Sequence, residues 1–281
     1  MENSHRFENM TWPEVNNAVA NGLIPVLPVG TVEQHGPHLP LKMDLWSADS
    51  VVDEAARRRP DRLLAMPVIP YGYTTHVMDF PGSITVHHET FIRYVVDVIK
   101  SVVYHGFKKV IVVNGHGSNV PPLDLAARRA MVETDAVVSM TSWWSLVTVD
   151  PEFAAKWRES EFPGGCAHAC ELETSLALRL DESMVRKDLV ESHRTWTNAQ
   201  GSKFESVDIF GFGPVAVTGW TSTYTETGVC GSAELATADK GELLFEEAVS
   251  RLAEWGDEFH ARQYPARTDH HADPPTIPVP G

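Results

Sequence analysis

The first candidate for chemistry is a loop rich in histidine and carboxylate residues between positions 28 and 44. Glu33 and His35 are two residues apart, so in an extended segment both side chains point to the same side. Gly36 and the prolines around it turn the chain, which lets Asp44 come back toward them. One carboxylate, one imidazole and a second carboxylate that can bridge form half of a two-metal site. Judged from the spacing alone, the alternative to a metal site is a polar loop with one hydrogen-bonded histidine.

A second candidate loop spans residues 114–119 and follows directly after an apolar run. Glycines on both sides of His116 let the backbone pass close to a ligand or a metal, and Asn114 and Asn119 can fix the loop through hydrogen bonds to the backbone. A phosphate-binding loop is the competing interpretation, but the segment has no lysine or Ser/Thr at P-loop spacing. Two histidine-bearing loops after two apolar runs therefore favour metal binding.

A third cluster spans residues 164–175 and leads into a predicted helix. Its two cysteines and His168 do not make a structural zinc site, because such a site has four ligands and no second Cys/His pair exists. We interpret the cluster as a glycine-rich entry to a helix, with His168 available for proton transfer and Glu171 or Glu173 facing the metal loops. The alternative for the two glutamates is favourable charge at a helix N-terminus.

The elements that must position these loops alternate between strand and helix patterns. Four apolar runs, at 24–29, 63–69, 110–113 and 136–140, are nearly continuous, which is typical of strands buried on both faces of a parallel sheet. Apolar stripes at spacings of three and four predict one helix over 92–103, ended by Gly106, and another over 244–259; a third helix is predicted to begin at Pro121 or Pro122. The alternation predicts an α/β fold whose ligands bind beyond the carboxyl ends of the strands.

Composition excludes several classes of partner. The chain has 23 Lys+Arg against 38 Asp+Glu, a formal net charge of −15, which disfavours nucleic acid and anionic lipid surfaces. No apolar stretch approaches the roughly 20 residues of a membrane span, and the first ten residues have no apolar signal core, so we expect neither a membrane partner nor export. The 3 cysteines are a poor disulfide framework and predict a reducing compartment, the cytoplasm.

Length and composition predict the domain organisation. With 281 residues, 43% of them hydrophobic, the chain can bury a sizeable core. The absence of a repeat or a composition break predicts a single domain over residues 1–262. Repeated prolines between 263 and 281 predict an extended C-terminal tail or a subunit-bridging arm.

The order of these motifs resembles the creatininase (creatinine amidohydrolase) family. The resemblance covers roughly residues 20 to 260. Besides the three clusters above, it rests on a fourth motif, residues 228–231 followed by 236–241. It implies a three-layer αβα sandwich around a mostly parallel sheet, and a homo-oligomer, often a hexamer, that hydrolyses C–N bonds. It also implies two divalent metal ions per chain, and a set of histidine and carboxylate ligands suits Zn, Mn or Fe.

The resemblance assigns roles to individual residues of this chain. The residues that resemble metal ligands are Glu33, His35, Asp44 and His116, with Asp44 as the bridge. His168 resembles the histidine that passes a proton to the leaving nitrogen, and Trp144 resembles an aromatic residue that covers the substrate. For His38, His76, His87 and His88 we favour surface or satisfied core roles, and the alternative is that they line the pocket or an interface.

The sequence also departs from creatininase. At Ser118, two positions after the loop histidine, creatininase has a metal-binding glutamate. Family members with the altered loop tend to carry a glutamate three residues after the proton-transferring histidine, so we predict that Glu171 supplies the missing carboxylate. The residues predicted to bind substrate or to support the ligands are His38, Asn114, Ser118 and Glu173. Residues 164–167 replace the tryptophan and acidic residues of creatininase, so we predict a substrate other than creatinine.

The favoured hypothesis is a binuclear metal amidohydrolase that cleaves an amide, lactam or formamide bond in a small, non-peptide or cyclic molecule. A metal-dependent phosphoesterase would use the same ligands, but Lys42 is the one cation near these loops that could hold a phosphate. A non-catalytic, metal-stabilised binding protein would close every coordination position with protein atoms, whereas a hydrolase keeps one for water.

Overall fold

The computed structural model describes residues 5–193, 201–211, 213–273 and 275–279. In these segments the main sheet has four parallel strands in the order β2-β1-β3-β4. The strands are β1 (Ile24–Val29), β2 (Leu63–Ala65), β3 (Lys109–Asn114) and β4 (Val137–Ser142). The predicted parallel sheet is confirmed, but β2 is shorter than the apolar run at 63–69. Pro67 has no amide hydrogen to donate, and beyond it only Ile69 forms an isolated bridge with Val29.

The helices lie between and after these strands. They are α1 (Trp12–Ala20), α2 (Met43–Arg58), α3 (His88–Tyr104), α4 (Val120–Thr134), α5 (Trp143–Leu146), α6 (Glu171–Asp181) and α7 (Ala238–Ala261). Helix α3 ends just before Gly106, whose φ of 112° is the left-handed conformation that a glycine adopts without strain. Helix α4 carries Pro121 and Pro122 in its first turn, where no intrahelical amide bond is lost. Both predicted helix boundaries are therefore confirmed.

The sheet is covered on both faces because neighbouring residues of a strand point to opposite sides. Val26 and Ile111 pack into one core together with residues of α2, α6 and α7. Leu27 and Val112 pack into a second core with residues of α3 and α4. The fold is thus a three-layer αβα sandwich with a parallel central sheet, as predicted.

A second, small antiparallel sheet lies outside the main one. It pairs β5 (Cys166–His168) with β6 (Cys230–Gly231). This pairing anchors the segment that carries His168 to a part of the chain about sixty residues away, which sequence spacing does not reveal.

The chain beyond α7 forms neither helix nor strand in residues 263–273 and 275–279, and these residues are exposed. Pro274, Pro280 and Gly281 of the predicted tail lie outside the described residues, as do positions 1–4. The division into a domain over 1–262 and a tail stays a prediction. No helix in the described part of the chain is both long enough and apolar enough to cross a bilayer.

Candidate metal centre

The candidate ligands gather at the carboxyl edge of the main sheet, between β1 and β3. These two strands are neighbours, while β2 lies beyond β1 and β4 lies beyond β3. The chain therefore runs from β1 to one side of the sheet and from β3 to the other. Where two neighbouring strands diverge in this way, a crevice opens between the loops that follow them. Glu33 and His35 follow β1, and His116 follows β3. The crevice brings the first and second histidine loops together.

Two glycines allow the start of α2 to enter this crevice. A Cβ at Gly115 would overlap the carbonyl oxygen of Asp44, and a Cβ at Gly30 would overlap the backbone of Leu45. Only glycine permits such a close backbone approach at both places. The first turn of α2 is thus pressed against the ends of β1 and β3, which places the carboxylate of Asp44 between the two loops.

One group of candidate ligand atoms consists of Glu33 Oε1, Asp44 Oδ2 and His116 Nδ1. His116 Nδ1 lies 3.3 Å from Glu33 Oε1 and 3.2 Å from Asp44 Oδ2. A tetrahedral ion with bonds of 2.0–2.1 Å separates its ligand atoms by about 3.3 Å. The spacing of this first group therefore fits a small divalent ion.

A second group shares Asp44 and adds His35 and Glu173. His35 Nε2 lies 3.1 Å from Asp44 Oδ1 and 3.7 Å from Glu173 Oε1. Asp44 faces the first group with Oδ2 and the second with Oδ1. This is the arrangement of a carboxylate that bridges two ions, the role that the resemblance implies for Asp44.

Several of these atoms are buried without a hydrogen-bond partner. Glu33 Oε1, His35 Nε2 and Asp44 Oδ2 form no hydrogen bond, although the side chains of these residues are at most 2% exposed. Unpartnered buried polar atoms are costly, and a cluster of them signals a group that the protein binds. The donor set, carboxylate oxygen and imidazole nitrogen, suits Zn, Mn or Fe.

The atoms that do not face the groups are held in place by hydrogen bonds. Thr74 Oγ1 donates to Glu33 Oε2, and the amide of Ala169 donates to Glu173 Oε2 at 2.5 Å. His35 Nδ1 donates to the carbonyl oxygen of Glu33 at 3.2 Å, which leaves Nε2 as the ligand atom. Such outer contacts orient metal ligands and set their tautomers.

Three residues predicted to support the centre occupy contacts of this kind. Asn114 Oδ1 accepts the amide of His116 at 3.0 Å, while its Nδ2 donates to the carbonyl oxygen of His116 at 2.6 Å. His38 Nε2 lies 2.9 Å from Thr174 Oγ1, beside Glu173 on α6. Ser118 Oγ lies 3.4 Å from His76 Nδ1. The structure thus connects each of them to a candidate ligand or to its loop.

Glu171 is not placed with the ligands. Its carboxylate accepts the amides of Glu159 and Ser160 at 3.0 and 2.9 Å, and Lys240 Nζ donates to it at 2.6 Å. The prediction that Glu171 supplies the missing carboxylate is therefore corrected, because Glu173 lies beside His35 and Asp44 instead. Two residues apart on a helix, the two carboxylates point about 200° away from each other, so they cannot both face the crevice.

His168 lies at the edge of the centre. Its Nε2 donates to the carbonyl oxygen of Gln34 at 2.8 Å, which leaves Nδ1 at 3.7 Å from Glu33 Oε1. Its ring contacts the ring of His35, with centroids 4.3 Å apart and the two planes tilted by 38°. The side chain is 20% exposed, so it can reach both the buried cluster and a bound molecule.

Trp144 follows β4 at the same edge of the sheet. The side chain is half-buried and contacts Trp143 edge to face, with ring centroids 6.2 Å apart. Its predicted contact with the substrate stays a prediction.

The charges of the centre balance one another. Burial alone lowers the pKa of His116, but the carboxylates of Glu33 and Asp44 outweigh it and raise that pKa to about 10. Burial likewise lowers the pKa of His35, and Asp44 and Glu173 raise it well above its usual value. Burial raises the pKa of Glu33, but His116 holds it well below the usual range. When no ion is bound, these carboxylates therefore favour the protonated form of both histidines.

Metal binding is consequently expected to release about one proton per ion at pH 7 to 8, because His35 and His116 must lose their protons to act as ligands. The apparent affinity should rise with pH, by about tenfold per pH unit at each site, until the histidine pKa is passed. Calorimetric titration of zinc in two buffers with different heats of protonation measures the released protons. Equal heats in the two buffers would contradict the expectation.

Sequence reasoning missed Gln34 and Thr74, and for His76 it favoured a surface or core role over a place in the pocket. Gln34 Oε1 accepts the amide of Gly36 at 2.9 Å, and its Nε2 donates to the carbonyl oxygen of Gly228 at 3.2 Å, so it ties the first loop to β6. Thr74 and His76 follow the second apolar run. They come five and seven residues after that run ends at residue 69, so no motif directly after the strand marks them.

Comparison with known proteins shows what the chain is similar to. Residues 8–255 match the family described as creatinine amidohydrolase. Creatinine amidohydrolase of Pseudomonas putida is 31% identical over 258 residues, 87% of this chain and 93% of that protein. A 3-dehydro-scyllo-inosose hydrolase of Thermotoga maritima is 28% identical over 89% of this chain and 80% of that protein. A mycofactocin precursor peptide peptidase of Mycobacterium ulcerans is 28% identical over 87% of this chain and 86% of that protein.

Solved structures agree with the sequence relatives. A manganese form of creatininase superposes with a TM-score of 0.76 at 28% identity, covering 92% of this chain and 100% of the other. A mutant creatininase of zinc–zinc type superposes with a TM-score of 0.75 at 28% identity, covering 92% of this chain and 99% of the other. The family match and the superpositions each cover most of the chain. The protein belongs to the creatininase family.

Proposed function

We propose that the chain is a metal-dependent hydrolase that cleaves a C–N bond of a small amide, lactam or formamide. The observation that carries the proposal is Asp44, whose two oxygens face two separate groups of buried ligand atoms. The names of two of the three relatives, an amidohydrolase and a peptide peptidase, denote hydrolysis of C–N bonds. Two groups that share Asp44 support a centre of two ions.

Glu33, Asp44 and His116 would hold one ion, and His35, Asp44 and Glu173 the other. When bound, such ions supply Lewis acidity, which lowers the pKa of a water molecule and polarises a carbonyl oxygen. Each group has three protein ligands, and a tetrahedral site with three protein ligands keeps a position for water or substrate. This distinguishes a hydrolase from a protein that binds metal for stability alone.

His168 is suited to move the proton that amide hydrolysis requires. His168 Nε2 lies 2.8 Å from the carbonyl oxygen of Gln34 and 3.0 Å from Gln34 Nε2. In the tautomer that donates from Nε2 to this carbonyl oxygen, the lone pair of Nδ1 faces the cluster. Nδ1 can take a proton from the attacking water and then donate it to the departing nitrogen. Without that proton an amine is a very poor leaving group, so this transfer is the step that makes the chemistry specific for C–N bonds.

The charges around the centre favour a neutral substrate. Within the described residues, every ion-pair partner of the candidate ligands is a carboxylate or an imidazole. Lys42, the cation nearest in sequence, has its ammonium 4.1 Å from the ring centroid of Trp46. A phosphate ester needs cations in addition to the metals, which is why we place an amide ahead of a phosphoester.

The experiment is a hydrolysis panel of cyclic amides, formamides and short peptides, with a chromogenic phosphate ester beside them. We expect turnover of at least one amide, its loss on chelation, and its return with Zn, Mn or Fe. His168→Gln should lower kcat by about a hundredfold or more, the usual contribution of a positioned acid or base, while two ions stay bound. The exposed His105 offers the matched control His105→Gln.

Full amide hydrolysis by metal-free protein would refute the proposal. Turnover of the phosphate ester alone would replace it with a phosphoesterase. Loss of one ion in His168→Gln would make His168 a ligand, since it also lies near Glu33 and His35 in a third group. Assembly into a homo-oligomer, with six copies by resemblance, stays a prediction.

A further inference from the structure

The segment that carries His76 covers the first ligand group. Between β2 and α3 the chain contacts the centre at two points before it reaches His76: the amide of Tyr73 donates to Asn119 Oδ1 at 2.9 Å, and Thr74 donates to Glu33. His76 then lies with Nδ1 at 3.4 Å from Ser118 Oγ. Three successive contacts hold this segment against Glu33 and against the loop of His116.

The His76 ring is stacked on the ring of a candidate ligand. Its centroid lies 6.0 Å from that of His116, and the two planes differ by 23°. His76 belongs to none of the groups whose ligand atoms lie within 4.8 Å of one another. It therefore lies beside the candidate ligands instead of among them, within reach of a molecule bound there.

His76 and His168 occupy corresponding positions beside the two ligand groups. The ring of His168 is tilted by 38° against that of His35, a candidate ligand of the second group, and the ring of His76 is stacked on that of His116, a candidate ligand of the first. Ser118 stands where creatininase has a glutamate ligand, and in this chain its hydroxyl bonds a histidine instead. When the Ser118 hydroxyl donates to Nδ1, the ring proton of a neutral His76 is on Nε2.

We propose that His76 is a substrate-binding residue, oriented by Ser118, that donates a hydrogen bond from Nε2 to an oxygen of the substrate. This inference rests on the proposed function, because the substrate is the molecule held beside the first ligand group. It defines the substrate class further: an amide that carries a hydrogen-bond acceptor, such as a carbonyl oxygen, on the side of His116. The side chain is half-buried, so a bound molecule would shield this hydrogen bond from water.

The test uses acetohydroxamic acid, a small amide analogue that binds divalent ions, and calorimetry on the zinc-loaded protein. His76→Ala should weaken binding by about tenfold, the effect of one buried hydrogen bond, with two zinc ions retained. His76→Gln keeps an amide donor and should stay within about threefold of wild type. His87→Ala, at an exposed histidine, should change nothing.

A double-mutant cycle tests the role of Ser118. Ser118→Ala should weaken binding by a smaller factor in wild type and add nothing in His76→Ala, because both changes remove the same contact. Unchanged affinity in His76→Ala, or loss of an ion in it, would overturn the inference and leave the proposed function intact. Wild-type protein that binds neither two zinc ions nor the hydroxamate would refute the proposed function itself.

Discussion

Asp44→Asn is expected to remove both metal ions and to lower hydrolysis by about a thousandfold or more, since Lewis acid stabilisation of a transition state amounts to several kcal/mol. The structure supplies the reason. Asp44 is the one residue shared by the two ligand groups, with a different oxygen facing each. An asparagine keeps one oxygen but loses the negative charge and replaces the other oxygen with an amide that cannot bind a cation. Metal content per chain and kcat/KM measure the two effects.

The matched control is Asp49→Asn on the same helix. Asp49 lies on α2 five residues after Asp44, where its carboxylate faces Arg6 at 3.4 Å. It should keep both ions and full activity, at a small cost in stability because the pair is partly exposed. If Asp44→Asn retained two ions, the bridging role would be excluded.

Glu173→Gln is expected to reduce the metal content from two ions to one. Glu173 is the carboxylate of the second ligand group, and the amide of Ala169 already holds its other oxygen. With that carboxylate neutralised, the second group keeps only His35 and Asp44, while the first group is complete. Metal analysis after gel filtration measures the stoichiometry, and activity should fall by about a hundredfold or more.

Glu171→Gln is the control that the same helix provides. It should keep two ions, because its carboxylate bonds Lys240 and two backbone amides instead of the centre. We expect the free energy of unfolding to fall by about 3 kcal/mol, since breaking a buried ion pair leaves a charge without its partner. Glu159 remains near Lys240 Nζ at 2.7 Å, which limits the loss. Loss of an ion here, with two ions kept in Glu173→Gln, would restore the prediction made from the sequence.

The assignment of these two glutamates shows where sequence reasoning stops. Both occupy the first turn of α6, and the spacing from His168 does not say which one faces the crevice. That depends on the rotation of α6 about its axis. Leu172 and Leu176 are buried in the core, and a Cβ at Gly241 of α7 would overlap the carbonyl oxygen of Ser175, so α7 lies very close to α6. This packing turns Glu171 toward Lys240 and Glu173 toward the metal centre.

Much of the centre could nevertheless be predicted before any coordinates. Glu33, His35 and His116 follow apolar runs that are strands, and in a parallel sheet the ends of such strands meet at one edge. The same runs predicted the fold class, because a strand that is covered on both faces is apolar along its whole length and does not alternate between apolar and polar residues. These are properties of local pattern, so the sequence carries them directly.

Residues far apart in the chain and without a pattern of their own could not be assigned in this way. Thr74 orients Glu33, and Gln34 spans from the first loop to Gly228, yet neither lies in a motif. The sequence favoured a surface or core role for His76, and only the structure shows that its ring contacts the ring of His116. Their roles depend on contacts between loops, and a hydrogen bond between loops leaves no periodic signal in the sequence.

The sequence by itself determined which side chains could bind a metal, the α/β alternation of strands and helices, and the edge of the sheet where the loops meet. Only the tertiary structure decided how the candidate ligands are grouped, that a different oxygen of Asp44 faces each of two groups, and that Glu173 lies with them while Glu171 bonds Lys240. The physical reason is that strand and helix patterns arise from neighbours along the chain. A metal site instead requires atoms about 3 Å apart, and that precision comes from the packing of whole elements against one another.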